Sequence, residues 1–176
     1  SACGVWPWDR LVRAMKWRLI QMGAWGIRAL DSDEGLDTLD FLAESYLPEH
    51  KTLDLAEVIA WMREFDCLGE NPADIDFFYD NNAMVLAELY LEWLDKGKLD
   101  FGDEENPWSK VQGFTATNDG LDALLRYLYD IKNEVPDEDG IRESVELWRN
   151  DGKNPNFGKW QQHLDNLIQR LEQAKK

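Results

Sequence analysis

Apolar residues that recur at steps of three and four constrain this chain more than any other feature, because only an α-helix gathers such positions on one face. Between Asp54 and Asp66, Leu55, Val58, Ile59, Met62 and Phe65 form one stripe and leave Glu57, Arg63 and Glu64 outside it. The same spacing runs through Leu86, Leu89, Tyr90 and Trp93, through Leu121, Leu124, Leu125, Leu128 and Ile131, and through Trp160, Leu164, Leu167, Ile168 and Leu171. A shorter helix is expected from about Glu138 to Arg149, after Pro136 and before Asp151-Gly152, with Ile141, Val145 and Trp148 inward. No strand alternation of comparable length occurs, although short pieces around residues 25–30 or 111–114 could pair. The fold class this predicts is mostly α: a compact bundle of about six helices with at most minor strands.

With 176 residues, 44% of them hydrophobic and nine of them tryptophan, the chain can bury a core that offsets chain entropy without metals or crosslinks. Cys3 and Cys67 stand alone, without the close spacing of a zinc or redox motif, so free thiols and a reducing, cytoplasmic setting are expected. No apolar run approaches the roughly 18 to 20 residues of a membrane span. The turn-rich stretches at 48–51, 69–72, 97–107 and 150–157 are too short to divide the chain, so residues 22–176 read as a single acidic helical domain.

Charge is distributed unevenly. Residues 1–21 hold four basic residues and one acid, residues 141–176 seven and five, and the stretch between them has 29 acids and eight bases, a balance of −21 within a total of −16. A field of that sign repels nucleic-acid phosphates and accelerates encounter with basic partners. The opening segment, with three tryptophans and a basic helical pattern, differs so much in composition that it reads as a leader outside the domain.

An eight-residue echo links the two halves. Ser32-Asp33-Glu34-Gly35-Leu36-Asp37-Thr38-Leu39 is matched by Thr117-Asn118-Asp119-Gly120-Leu121-Asp122-Ala123-Leu124, each a hydroxyl cap followed by acceptors in a first helical turn and leucines that begin a buried stripe. The pattern fits two helix-turn-helix halves about a pseudo-twofold axis, with Val58 and Ile141 beginning the second stripe of each.

Chemistry motifs are sparse. His50 and His163 lack metal-ligand spacing and read as surface residues, and no nucleophile elbow or glycine-rich phosphate loop occurs. The acidic runs at Asp31 and Asp137 begin like calcium loops, but Leu36 and Arg142 stand where glycine is needed, and Leu42 and Trp148 where a bidentate glutamate is needed. No catalytic residue, metal or cofactor is expected, and acids at helical spacing such as Asp76 and Asp80 are expected by accident in so acidic a chain.

Met22-Gly23-Ala24-Trp25-Gly26, followed by Asp31, Asp33 and the helix start Gly35-Leu36-Asp37, resembles an uncharacterised bacterial family, domain of unknown function 4259, some members of which are labelled MolR-family transcriptional regulators. The resemblance implies a shared structural or binding corner around Trp25, Gly26 and the acids after them, with Trp25 in the core, and it brings no catalytic residues. The candidate partner contacts are Trp25, Asp31, Asp33 and Glu34 in this corner and Asp103, Glu104 and Glu105 in the acidic loop. The function expected first is an interaction protein engaging a basic protein partner, such as an immunity-type inhibitor. A transcriptional regulator using the basic residues after 140 comes second and a carboxylate-based hydrolase third; the shortage of basic residues before 140 makes nucleic acid an unexpected partner.

Overall fold

A computed structural model describes residues 26–101 and 105–176. The predicted stripes become helices α1 (Asp33–Ser45), α2 (Leu55–Glu64), α3 (Phe77–Lys96), α4 (Asn118–Lys132), α5 (Glu143–Arg149) and α6 (Phe157–Ala174). A 3-10 turn, Ala29–Asp31, leads into α1. The fold is mostly α.

Helix α3 lies at the centre because it alone is apolar on almost every side: Ala83 to Ala87 and Leu89 to Leu91 are all buried. Helices α1, α4, α5 and α6 pack around it, and α4 also bridges α2 and α6. The leucine stripe of α4 is almost completely buried, as are Trp160, Leu164, Leu167, Ile168 and Leu171 of α6. At about 25 cal/mol per Å² of apolar surface removed from water, stripes of this length supply the main favourable term in folding.

Two three-residue strands, β1 (Thr52–Asp54) and β2 (Gly113–Thr115), pair in parallel, with Thr52 opposite Gly113, Leu53 opposite Phe114 and Asp54 opposite Thr115. Their parallel direction follows from their context, since each leads into a helix, α2 and α4, that packs against the other. One expected strand piece is therefore real, whereas residues 26–31 form bends and the 3-10 turn instead.

The echoed helix starts are alike in detail. Ser32 Oγ accepts the Gly35 N–H at 3.0 Å, and Thr117 Oγ1 accepts the Gly120 N–H at 3.1 Å. Beyond the caps the halves diverge. Leu36 is exposed while its counterpart Leu121 is buried, and Ile141 is exposed ahead of a helix that begins only at Glu143. The cause of the late start is local: Asp137 Oδ1 accepts the N–H groups of Asp139 and Ile141, and Gly140 takes a φ of +80°, so residues 137–141 close a turn instead of a helical one. Ile141 thus begins no buried stripe, against the expectation.

Three further expectations change. Phe65 lies past the end of α2 and is exposed, its ring tilted against Trp61 and edge-on to Phe41. Cys67 is buried and disulfide-bonded, against the expectation of a free thiol at this position. His50 and His163 are partly buried and partnered, the first stacked on Tyr46 and the second against Glu88. The expectations for residues 1–21 and Trp25, and for Asp103 and Glu104, fall outside the described residues.

The two echoed glycines meet different surroundings. A Cβ on Gly35 would lie 2.0 Å from the Ala29 carbonyl oxygen, whereas one on Gly120 would lie 3.1 Å from the Ala56 nitrogen. Gly35→Ala is expected to cost about 3 kcal/mol, the upper end for overpacking. Gly120→Ala should cost less than about 1 kcal/mol, because the gain in helix propensity offsets a small shift. Urea denaturation of the two variants checks the difference, and equal losses would contradict it.

Candidate functional site, an acidic groove

The site begins with an ion pair sealed inside the fold. Arg142 donates Nε–H to Asp80 Oδ2 at 2.8 Å and Nη2–H to Asp80 Oδ1 at 2.6 Å, while Ser144 Oγ donates to Oδ2 at 2.5 Å and the Val135 carbonyl accepts from Nη1 at 3.2 Å. The Asp80 and Arg142 side chains are only 3% and 4% exposed. Burial pushes the Asp80 carboxyl above the usual carboxylate range, opposed by the hydrogen bonds and charge of Arg142 and by Ser144. The planar fork of arginine makes this two-point contact, which lysine could not reproduce.

The pair draws two acidic segments together. Asp76, one turn before Asp80, caps α3 by accepting the Phe78 N–H at 2.8 Å, and Asp74 accepts the Asn71 N–H at 2.9 Å. On the other side, the tight turn of Asp137 ends immediately before Arg142. Between them lies an open groove of about 310 Å³ walled by Asp74, Asp76, Asp137, Glu138 and Asp139, with Tyr79 at its side. Tyr79 donates its hydroxyl to Asp66, and burial followed by that carboxylate holds the phenol well above its ordinary pKa. Among the described residues lining the groove there is no lysine, arginine or histidine. The carboxylates do not converge as metal ligands: among the described residues no group of three or more His, Cys, Asp or Glu is placed to hold an ion.

The corner after residue 25 is organised by a different buried acid. Glu88 accepts the N–H groups of Ala29 and Leu30, each at 2.9 Å, and His163 Nε2 lies 2.9 Å from its Oε2. Asp31 pairs with Arg28, Asp33 is exposed in the first turn of α1, and Glu34 is half-buried with its carboxyl pushed up by desolvation and then by Asp33 and Asp37. The structure thus brings Asp31, Asp33 and Glu34 together. Glu105 belongs to a separate loop that docks through Trp108 Nε1–H on the Leu39 carbonyl, further along α1.

A family model described as Domain of unknown function (DUF4259) matches residues 23–163, most of the chain. The chain belongs to the DUF4259 family. No curated protein and no solved structure matches it. Within this DUF4259 domain the matched segment contains both walls of the groove, Asp80, Arg142 and Glu88, and ends at His163.

The groove residues were visible in the sequence only as separate runs, Asp74-Ile75-Asp76 and Asp137-Glu138-Asp139. The contact that joins them spans 62 positions and rests on one arginine. Truncation of that arginine leaves a buried carboxylate unpaired, so Arg142→Ala is expected to cost about 3 to 5 kcal/mol. The double variant Asp80→Leu/Arg142→Met should recover most of that loss, since replacing a buried pair with apolar groups is often neutral. Denaturant unfolding of both checks this, and a double variant no more stable than the single one would contradict it.

Proposed function

We propose that this DUF4259 domain is a protein-interaction module that receives a cationic segment of a partner in the groove between Asp74, Asp76 and Asp137–Asp139. The observation that carries the reading is a groove walled by five carboxylates and a tyrosine, with no cation of its own among the described residues. Lysine and arginine suit such walls through charge and through the ring face of tyrosine. An inhibitor of the immunity type, shielding a basic toxin, would use a surface of this kind.

Magnitudes indicate how the surface would work. An exposed ion pair contributes only about 0.2 to 1 kcal/mol, so no single acid secures the complex. Five acids on the two walls of one groove, within a stretch of charge −21, act together on the encounter rate and on register. Direct binding of DNA has less support. Arg170 of α6 is committed to Asp95, and Lys175, just past the end of that helix, to Asp122 and Glu172, so two of the C-terminal cations are already engaged by carboxylates. Among the described residues no helix is long and apolar enough to cross a membrane.

A lysine- and arginine-rich peptide titrated at about 50 mM salt should bind, and Glu138→Lys/Asp139→Lys should weaken it about tenfold, a loss of roughly 1.4 kcal/mol. Asp37→Lys/Asp40→Lys makes the same charge change on the exposed face of α1 and should weaken it less than about threefold. At about 500 mM salt the difference should shrink with screening. Equal losses in the two double variants would mean that net charge, and not the groove, does the binding. Capture from native lysate under the same two salt conditions would then name the partner.

A further inference from the structure

In a stretch with 29 acids and only eight bases, residues 22–140, a cation without an acidic or aromatic neighbour is unusual. Arg28, Lys96, Lys98, Arg126 and Lys132 are all paired with carboxylates, and Arg63 donates to the Tyr127 hydroxyl and lies over its ring. The remaining two, Lys51 and Lys110, are exposed, show no ion pair among the described residues, and line the same pocket.

Their convergence is built into the backbone. Lys51 immediately precedes β1, and its carbonyl accepts the Gln112 N–H at 2.7 Å, so the parallel pairing holds Lys51 beside the 110–112 segment. Lys110 ends the 3-10 turn Pro107–Lys110, which is anchored by the buried Trp108. The pocket has a volume of about 210 Å³, with Leu47, Pro48 and Val111 among its apolar walls and His50 at its edge. His50 is held in place: its Nδ1–H donates to the Tyr46 carbonyl at 2.9 Å, and its ring lies on that of Tyr46 with centroids 4.0 Å apart.

We propose that this pocket binds a small organic anion, with a carboxylate or phosphate head between Lys51 and Lys110 and a ring or short apolar chain against Leu47, Pro48 and Val111. The volume lies below the roughly 300 to 1,000 Å³ of sites for drug-sized ligands, so the ligand is of single-ring size. The overall field of the protein repels anions, so the two lysines supply local attraction that a neutral ligand would not exploit. The pocket is independent of the acidic groove and takes ligands of opposite charge.

Phenyl phosphate and benzoate, titrated separately into the full chain and followed by amide chemical shifts, distinguish the two head groups. One of them should give saturable shifts at Lys51, Lys110 and Val111. Lys51→Gln/Lys110→Gln should weaken that binding at least tenfold, while Lys153→Gln, an exposed lysine elsewhere, leaves it unchanged. Both lysines are exposed, so the double variant should keep the parent's thermal midpoint, which circular dichroism verifies. Inorganic phosphate and benzyl alcohol should each bind at least tenfold more weakly than the better probe. The proposal is overturned if neither anion saturates, if the shifts map elsewhere, if the double variant binds as the parent does, or if inorganic phosphate or benzyl alcohol matches the better probe.

Discussion

An unpaired buried polar side chain costs about 1 to 3 kcal/mol, and although Asn81 Nδ2 and Glu92 Oε2 of α3 are buried without a hydrogen-bond partner among the described residues, its three most deeply buried polar side chains are all paired. Each is satisfied by a different part of the chain. Asp80 takes Arg142 and Ser144, Asn82 takes Thr38 of α1 and the Cys67 carbonyl, and Glu88 takes the N–H groups of Ala29 and Leu30 together with His163 of α6. The leucine stripes supply most of the stability, but apolar contact is not directional. These polar pairings set which segment meets α3 at which turn.

Burial of the ion pair does not make it a large net stabiliser, because desolvation offsets most of the attraction. Its consequence is geometric. The segments that it joins are both acidic, and surface acids at such density repel one another. Arg142 holds the two walls in place from beneath, where screening by salt is weak. The groove therefore keeps its charge density on the outside while the compensating cation is 4% exposed and out of reach of a ligand.

The helices were legible in the sequence because their periodicity is local: every stripe that mattered lies within one run of about twenty residues. The caps at Ser32 and Thr117 were legible for the same reason. The late start of α5 was not, because a single aspartate, Asp137, closes a turn in which Ile141 fits the helical spacing but not the geometry. The pairing of β1 with β2 was half visible: a strand near residues 111–114 was expected, and its partner was hidden in three residues, Thr52 to Asp54, at the mouth of a helix. The surface assignment of His163 failed because its partner, Glu88, lies 75 positions away and had been indistinguishable from the other acids. Asp80 illustrates the same limit, since spacing alone could not separate a buried hub from an accidental neighbour of Asp76.

The two sites differ in how they arise from composition. In a chain this acidic, a negative groove needs only two acidic turns brought together, and chance supplies many acidic turns. A pocket rimmed by two lysines that have no acidic partner among the described residues has no such abundance behind it. Six of the eight cations in residues 22–140 are held by carboxylates or by Tyr127, as simple electrostatics would arrange for all of them. Lys51 and Lys110 are kept together instead by strand pairing and by the turn around Trp108. Backbone geometry, and not charge, decides their position. The field that draws a cationic segment toward the groove repels small anions, so an anion bound here must gain its affinity at short range, from the two ammonium groups and the apolar wall behind them.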